Sequence, residues 1–243
     1  MWTPPPPDLV VSQDVIHVWR VSLDAHSVVV QRYRDSLSVD EVERADRFYF
    51  ERDRTRFTLA RGVLRVLLGH YLRLEPAHLR FRYNPYGKPE LDMNQDPVPL
   101  RFNVSHSAGL ALYAVVLGRE VGVDIEEVRV GVAFTQIAAR TFSPMESTAF
   151  RTLPARMQPT AFFNCWTRKE AYIKARGLGL SLPLDEFDVS LVPGEPAMLL
   201  RTPGEPEAVR KWSLQALAPG PGFVGAVAAE GHDWQIACWR FRA

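Results

Sequence analysis

Val121-Gly122-Val123-Asp124-Ile125-Glu126 constrains this 243-residue chain more than any other segment. It is apolar and β-prone, and on a strand successive side chains take opposite faces. Val121, Val123 and Ile125 then turn to a core, while Asp124 and Glu126 share the other face, about 6.5–7 Å apart. Two carboxylates on one face repel unless something positive stands beside them. A hard divalent cation with oxygen ligands answers that need, and magnesium suits a site that handles phosphate. A solvated strand edge rich in acid answers it too, and spacing alone leaves both readings open.

Some forty residues on, the periodicity predicts a helix from about 159 to 176, stopped by Gly177. Trp166, Glu170 and Lys174 fall on one face of it, at i, i+4 and i+8. Glu170 and Lys174 would make an ordinary surface pair worth about 0.2–0.5 kcal/mol. Alternatively, Glu170 is a third carboxylate or a base and Lys174 a phosphate contact. The chain has only four lysines, at 88, 169, 174 and 211, among 29 basic residues. Where arginine is the default cation, a retained lysine marks a place for a compact ammonium. Lys169 lies about 100° round the helix from Glu170 and has the weaker claim.

The length suits one large domain or two small ones. A hydrophobic content of 47% and a charged content of 23% are those of an ordinary globular protein. The net charge of +1 predicts neither a nucleic-acid binder nor a membrane binder. Cys165 and Cys238 form no CxxC or Cys/His cluster, which argues against structural zinc and a disulfide framework and for a reducing cytoplasm. Met1-Trp2-Thr3 and the prolines at 4–7 read as a frayed tail, not a signal peptide.

Residues 15–23 read as a first strand. Ser38 to Glu41 has capping-box spacing and opens a helical stretch to about Leu74, broken near Asp53. Residues 79–83 read as a strand and Asn84 to Pro89 as a turn. Residues 110–117 and 121–126 suggest a hairpin, and 132–142 a helix. Ser143-Pro144-Met145-Glu146 opens another helix. Segments 187–192, 211–218, 223–229 and 234–241 alternate like an antiparallel meander. Strands and helices in mixed order predict an α+β fold. The expected organisation is a flexible tail at 1–14 and α+β halves at 15–117 and 118–243.

Arg101 to Ser107 (Arg-Phe-Asn-Val-Ser-His-Ser) reads as a polar loop with several phosphate donors, or as a turn with local capping. The arginines between 44 and 65 read as a solvated helix face that retains room for one phosphate. No GxxxxGK[ST], GxGxxG or GxSxG occurs, so nucleotide P-loops, dinucleotide folds and a serine nucleophile elbow lack support.

Together these pieces resemble the Sfp-type 4'-phosphopantetheinyl transferases. That family's pattern pairs a G-[IV]-D-x-E strand with a W-x-x-K-E-[AS]-x-x-K helix, met by Gly122–Glu126 and Trp166–Lys174. Phe102–His106 matches its F-N-[ILV]-S-H element and Tyr86–Pro89 its Y-G-K-P element. Arg47-Phe48, with Arg44 a turn earlier, and Gly177 to Leu180 are also similar. The resemblance covers about residues 40–190. It implies two similar α+β halves related by a pseudo-twofold, with the active site in the cleft between them.

The implied activity is that of a holo-[acyl-carrier-protein] synthase type transferase. It moves the 4'-phosphopantetheine arm of coenzyme A to a serine of an apo acyl, peptidyl or polyketide carrier protein. Adenosine 3',5'-bisphosphate is released. The implied metal is Mg2+, held by Asp124, Glu126 and Glu170. Glu170 and Lys174 would carry the chemistry, and Arg44, Lys88, Ser105 and His106 would hold coenzyme A. Glu146 recurs in the family after an F-[ST] pair, but its capping box accounts for it without a metal. The protein is expected to be a cytoplasmic monomer. The other readings are a magnesium-dependent phosphohydrolase and a non-catalytic coenzyme A or carrier-binding relative.

Overall fold

The computed structural model describes residues 2–92, 99–129, 131 and 134–242. The first half runs β1 (Val15–Ser22), α1 (Ser27–Arg34), α2 (Val39–Asp46), α3 (Glu51–Leu72), β2 (Phe81–Tyr83), β3 (Pro89–Leu91), β4 (Leu100–Ser107) and β5 (Leu110–Leu117). The second runs β6 (Val121–Glu127), α4 (Phe134–Thr141), α5 (Pro144–Thr152), α6 (Gln158–Arg176), β7 (Asp188–Val189), β8 (Leu199–Arg201), α7 (Ala208–Lys211), β9 (Trp212–Leu217), β10 (Phe223–Glu230) and β11 (Gln235–Arg240). The fold is α+β, as the mixed order of elements predicts. Positions 132 and 133 of the expected 132–142 helix lie outside the described residues.

Two sheets carry the architecture, one in the order β11-β1-β5-β4 and one in the order β6-β10-β9. Alternation along each strand sorts side chains between layers. Trp19, Val21 and Leu23 pack against Leu59, Val63 and Leu67 of α3. Ile16 and Val18 point the other way and meet Val121, Val123 and Ile125 of β6. Ala171, Tyr172 and Ala175 of α6 cover the far face of the second sheet, on Ala226, Ala228 and Trp212. The layers are therefore α3, first sheet, second sheet, α6. Each fully buried aliphatic side chain between them contributes about 1.5–3 kcal/mol.

Four expectations change. The helical stretch to Leu74 breaks at 47–50, where α2 ends and α3 begins, not at Asp53. Residues 110–117 and 121–126 form no hairpin. Both edges of β5 are taken, by β1 and by β4, so Gly118 (φ 65°) turns the chain into the second sheet, where β6 pairs with β10.

The last strand leaves the expected meander. β9 and β10 pair antiparallel, but β11 returns to the first sheet and runs parallel to β1. Alternation marks a strand without saying which edge it will cover, and β1 offers an edge that β11 closes. Residues 235–240 thus belong with the first half's sheet. The N-terminal tail is tied down as well. Thr3 bridges Trp239, its N–H donating to the Cys238 carbonyl at 3.2 Å and its carbonyl accepting from Arg240 N–H at 2.7 Å.

Candidate functional site

Strand β6 and helix α6 cross at Gly122. A Cβ at that position would stand 2.1 Å from the Ala171 carbonyl oxygen and 2.3 Å from the Ala175 nitrogen. Glycine lets the two backbones touch, and the close approach sets the helix beside the acidic face of the strand. Lys174 Nζ lies 2.5 Å from Asp124 Oδ1. Ser105 Oγ donates to the same oxygen at 2.7 Å and accepts from Lys174 at 3.1 Å. The other oxygen, Asp124 Oδ2, is buried without a hydrogen-bond partner. Glu126 accepts from Ser107 Oγ at 2.7 Å.

The field across these groups is that of a crowded acidic site. Burial pushes the Glu170 pKa up, and the charges of Asp124 and Glu126 add to the rise against the pull of Lys174. Burial also raises Glu126, opposed by the Ser107 hydrogen bond and reinforced by Asp124. The strand and the helix therefore bring Asp124, Glu126, Glu170 and Lys174 into one electrostatic unit. Trp166 packs against the apolar core under α6 and stacks on Phe162 at 6.3 Å.

A magnesium ion can be tested against these residues. Among those described, no three His, Cys, Asp or Glu side chains stand close enough to ligate one ion as they are. Lys174 supplies the positive charge at Asp124 instead. In kind, the donors fit: three carboxylates of hard oxygen, one with an orphaned buried atom and two destabilised as anions.

The 101–107 segment is not the expected loop. It is most of β4, so its side chains alternate. Asn103, Ser105 and Ser107 face β6. Asn103 Oδ1 accepts from Val123 N–H at 2.9 Å, and Ser107 Oγ accepts from Glu127 N–H at 3.3 Å. Two N–H groups on the free edge of β6 are thus met by side chains, while Ser105 holds Asp124 and Ser107 holds Glu126. Ser105, expected among the coenzyme A contacts, has its hydroxyl committed to Asp124 and Lys174. The alternation at 103, 105 and 107 was the signal for Asn103 and Ser107, hidden by reading the run as a loop.

His106 lies on the opposite face from Ser105. With Arg44, Arg61, Phe57 and Tyr83 it lines a cavity of about 210 Å³. Desolvation lowers the His106 pKa first, and the Lys174 ammonium lowers it further. A second cavity of about 280 Å³ lies at Glu170, Lys174 and Tyr86. The two share Gly87, Pro89 and Val104 as a common wall. Arg44 stands over the Phe57 ring at 5.3 Å. Lys88 departs from expectation: its stem lines the second cavity, but its ammonium is turned to Glu120, at 2.9 Å.

Glu146 and Lys169 stand apart from this site. Each side chain is 1% exposed, and Lys169 Nζ lies 2.7 Å from Glu146 Oε2. Glu146 accepts from Ser143 N–H at 2.8 Å and from Val189 N–H at 2.7 Å. Lys169 donates to the Leu184 and Phe187 carbonyls, each at 2.5 Å. The pair ties α5, α6 and the 184–189 segment together. The capping box and the Lys169 pair occupy the Glu146 carboxylate.

Residues 120–237 match the family described as the 4'-phosphopantetheinyl transferase superfamily, and residues 19–118 match 4'-phosphopantetheinyl transferase, N-terminal. The 4'-phosphopantetheinyl transferase HetI of Nostoc sp. is 42% identical over 240 residues, 99% of this chain and 98% of its own. A 4'-phosphopantetheinyl transferase of Bacillus subtilis is 31% identical, across 83% of this chain and 91% of its own. Sfp of Bacillus subtilis strain 168 is 30% identical, across 84% of this chain and 87% of its own. Likeness on this scale runs through both sheets and through the strand and helix that build the acidic site, and this chain belongs to the 4'-phosphopantetheinyl transferase superfamily.

Proposed function

We propose that this chain transfers the 4'-phosphopantetheine arm of coenzyme A to a serine hydroxyl of an apo carrier protein, releasing adenosine 3',5'-bisphosphate. The observation that carries the reading is the meeting of Asp124 and Glu126 from β6 with Glu170 and Lys174 from α6, at a cavity that adjoins one lined by Arg44, Arg61 and His106. An anionic nucleotide fits the basic, aromatic end, and a pyrophosphate fits the Lys174 end. Glu170 is the group placed to take the serine proton. The serine oxygen then bonds to the phosphorus that bears pantetheine, and the bond from that phosphorus to the nucleotide oxygen breaks.

Asp124, Glu126 and Glu170 are the residues that would hold magnesium, whose charge, when bound, offsets that of the pyrophosphate. Ser105 and Ser107 keep two of those carboxylates aimed. Lys174 stabilises charge at the pyrophosphate. Arg44 and His106 hold the nucleotide end.

The product is a holo carrier, so the reaction is of holo-[acyl-carrier-protein] synthase type. Residence in the cytoplasm as a monomer completes the reading. Two free cysteines, one buried and one half-buried, suit a reducing compartment.

Mass spectrometry tests the activity. The protein is mixed with coenzyme A, magnesium and a panel of apo acyl, peptidyl and polyketide carriers. One phosphopantetheine gained on a carrier serine is the expected result. Coenzyme A cleaved without any carrier would make it a phosphohydrolase, and tight coenzyme A binding with no product would make it a binding relative.

A further inference from the structure

The Asn84–Pro89 turn belongs to the first half of the chain, yet it grips the end of α6. Asn84 Oδ1 accepts from the N–H groups of Tyr86 and Lys88, each at 2.9 Å, which fixes the turn from within. Its amide nitrogen donates outward to the Gly177 carbonyl at 2.8 Å. Tyr86 lies against Gly179, where a Cβ would come 3.1 Å from the Tyr86 Cβ. Lys88 Nζ donates to the Ala175 carbonyl at 3.2 Å and the Val121 carbonyl at 3.4 Å, and pairs with Glu120 at 2.9 Å. Arg101 of β4 donates to the other Glu120 oxygen at 2.9 Å.

These contacts have a specific location. The last four carbonyls of a helix have no partner inside it. Ala175 O and Gly177 O, at the exit of α6, are met by an ammonium and an amide, the kinds of group that stabilise a helix C-terminus. Glu170 and Lys174 lie in the last two turns, so their placement over Asp124 depends on that exit staying wound. An ammonium has three N–H donors, and Lys88 directs all three at protein oxygens. Its side chain is 9% exposed.

We propose that Lys88 is a positioning residue. With Asn84 and Glu120 it latches the exit of α6 to the start of β6 and to the first sheet. The latch holds Glu170 and Lys174 in register with Asp124, and the ammonium does not itself bind coenzyme A. The inference rests on the transferase reading for its kinetic arm and not for its structural one.

The test compares wild type with Lys88→Met, which keeps the stem, and Glu120→Ala, which changes a half-exposed surface group. Two readouts are taken: kcat and KM for coenzyme A in carrier modification, and amide hydrogen exchange across 171–179. Both variants are expected to lower kcat about 10- to 100-fold, the effect of a small misplacement of reacting groups. KM for coenzyme A should stay within about twofold, since no ground-state contact is lost. Exchange at the helix exit should quicken in both. A rise in KM for coenzyme A in Lys88→Met, or unchanged kcat and exchange in Glu120→Ala, overturns the proposal. If wild type modifies no carrier, the transferase reading fails, and the exchange measurement still decides the latch.

Discussion

Lys169 and Lys174 sit five positions apart on one helix and end in different parts of the molecule. Lys174 reaches Asp124 and Ser105 at the acidic site. Lys169 is sealed among Glu146 and the Leu184 and Phe187 carbonyls, with the Phe187 ring 4.4 Å away. Lys88 is the third lysine whose ammonium serves several acceptors at once, and Lys211 alone lies out on the surface, paired with Glu230. A compact, rotatable ammonium fits such sites where a planar guanidinium fork does not. The scarcity of lysine was legible in the sequence and pointed to a site in the 166–174 segment; that Lys88 and Lys169 each serve several acceptors elsewhere was not. Which carboxylate each would meet was not legible, because those partners lie far along the chain.

Two substitutions test this scale. Lys169→Met leaves Glu146 as a buried, unpaired charge and should cost about 3–5 kcal/mol in a urea titration. A change under about 1 kcal/mol would mean that the pair adds little. Gly122→Ala forces β6 away from α6 and should cost about 1–3 kcal/mol from overpacking while lowering carrier modification sharply. Wild-type activity in that variant would show that the crossing tolerates a methyl group.

At the scale of elements, β6 works because β4 lies beside it. A strand edge with free N–H groups invites pairing. Asn103 and Ser107 occupy that edge with side chains, and Ser105 and Ser107 use the same reach to orient the carboxylates. Ser107→Ala is expected to raise the magnesium concentration needed for half-maximal activity about tenfold or more, the usual effect of losing a group that orients a ligand. An unchanged magnesium requirement would separate Ser107 from the site. The strand at 121–126 and the helix near 159–176 were readable from periodicity alone. The β4 zipper was not, because a Ser-His-Ser run reads as loop by composition, and only the neighbouring strand makes its alternation useful.

Across the whole molecule, the end of the chain returns to its beginning. β11 pairs with β1, and the rings of Trp19, Trp239 and His17 meet beneath them. His17 Nδ1 lies 2.8 Å from the Tyr71 hydroxyl on α3. Burial lowers the His17 pKa from 6.5 to about 4. The unfolded chain takes up a proton as pH falls below 6.5, and the folded chain resists it until about pH 4. The stability that a neutral His17 contributes is therefore present above pH 6.5 and is lost between 6.5 and about 4. Urea midpoints measured across that window should fall for wild type and fall less for His17→Gln. Equal slopes would place the acid sensitivity elsewhere. Local patterns divided the chain near residue 118, but the return of β11 is a pairing between the two ends of the sequence, which no local pattern encodes.

In the proposed reaction, carboxylates from one strand and a glutamate from one helix, brought together across Gly122, perform the transfer. It is tested most directly by mass spectrometry of an apo carrier incubated with coenzyme A, magnesium and wild type, Asp124→Ala or Glu170→Ala. Thermal unfolding would establish that both variants remain folded. One phosphopantetheine per carrier is expected with wild type, and a rate at least about 100-fold lower with either variant. Full modification by both folded variants at the wild-type rate would contradict it.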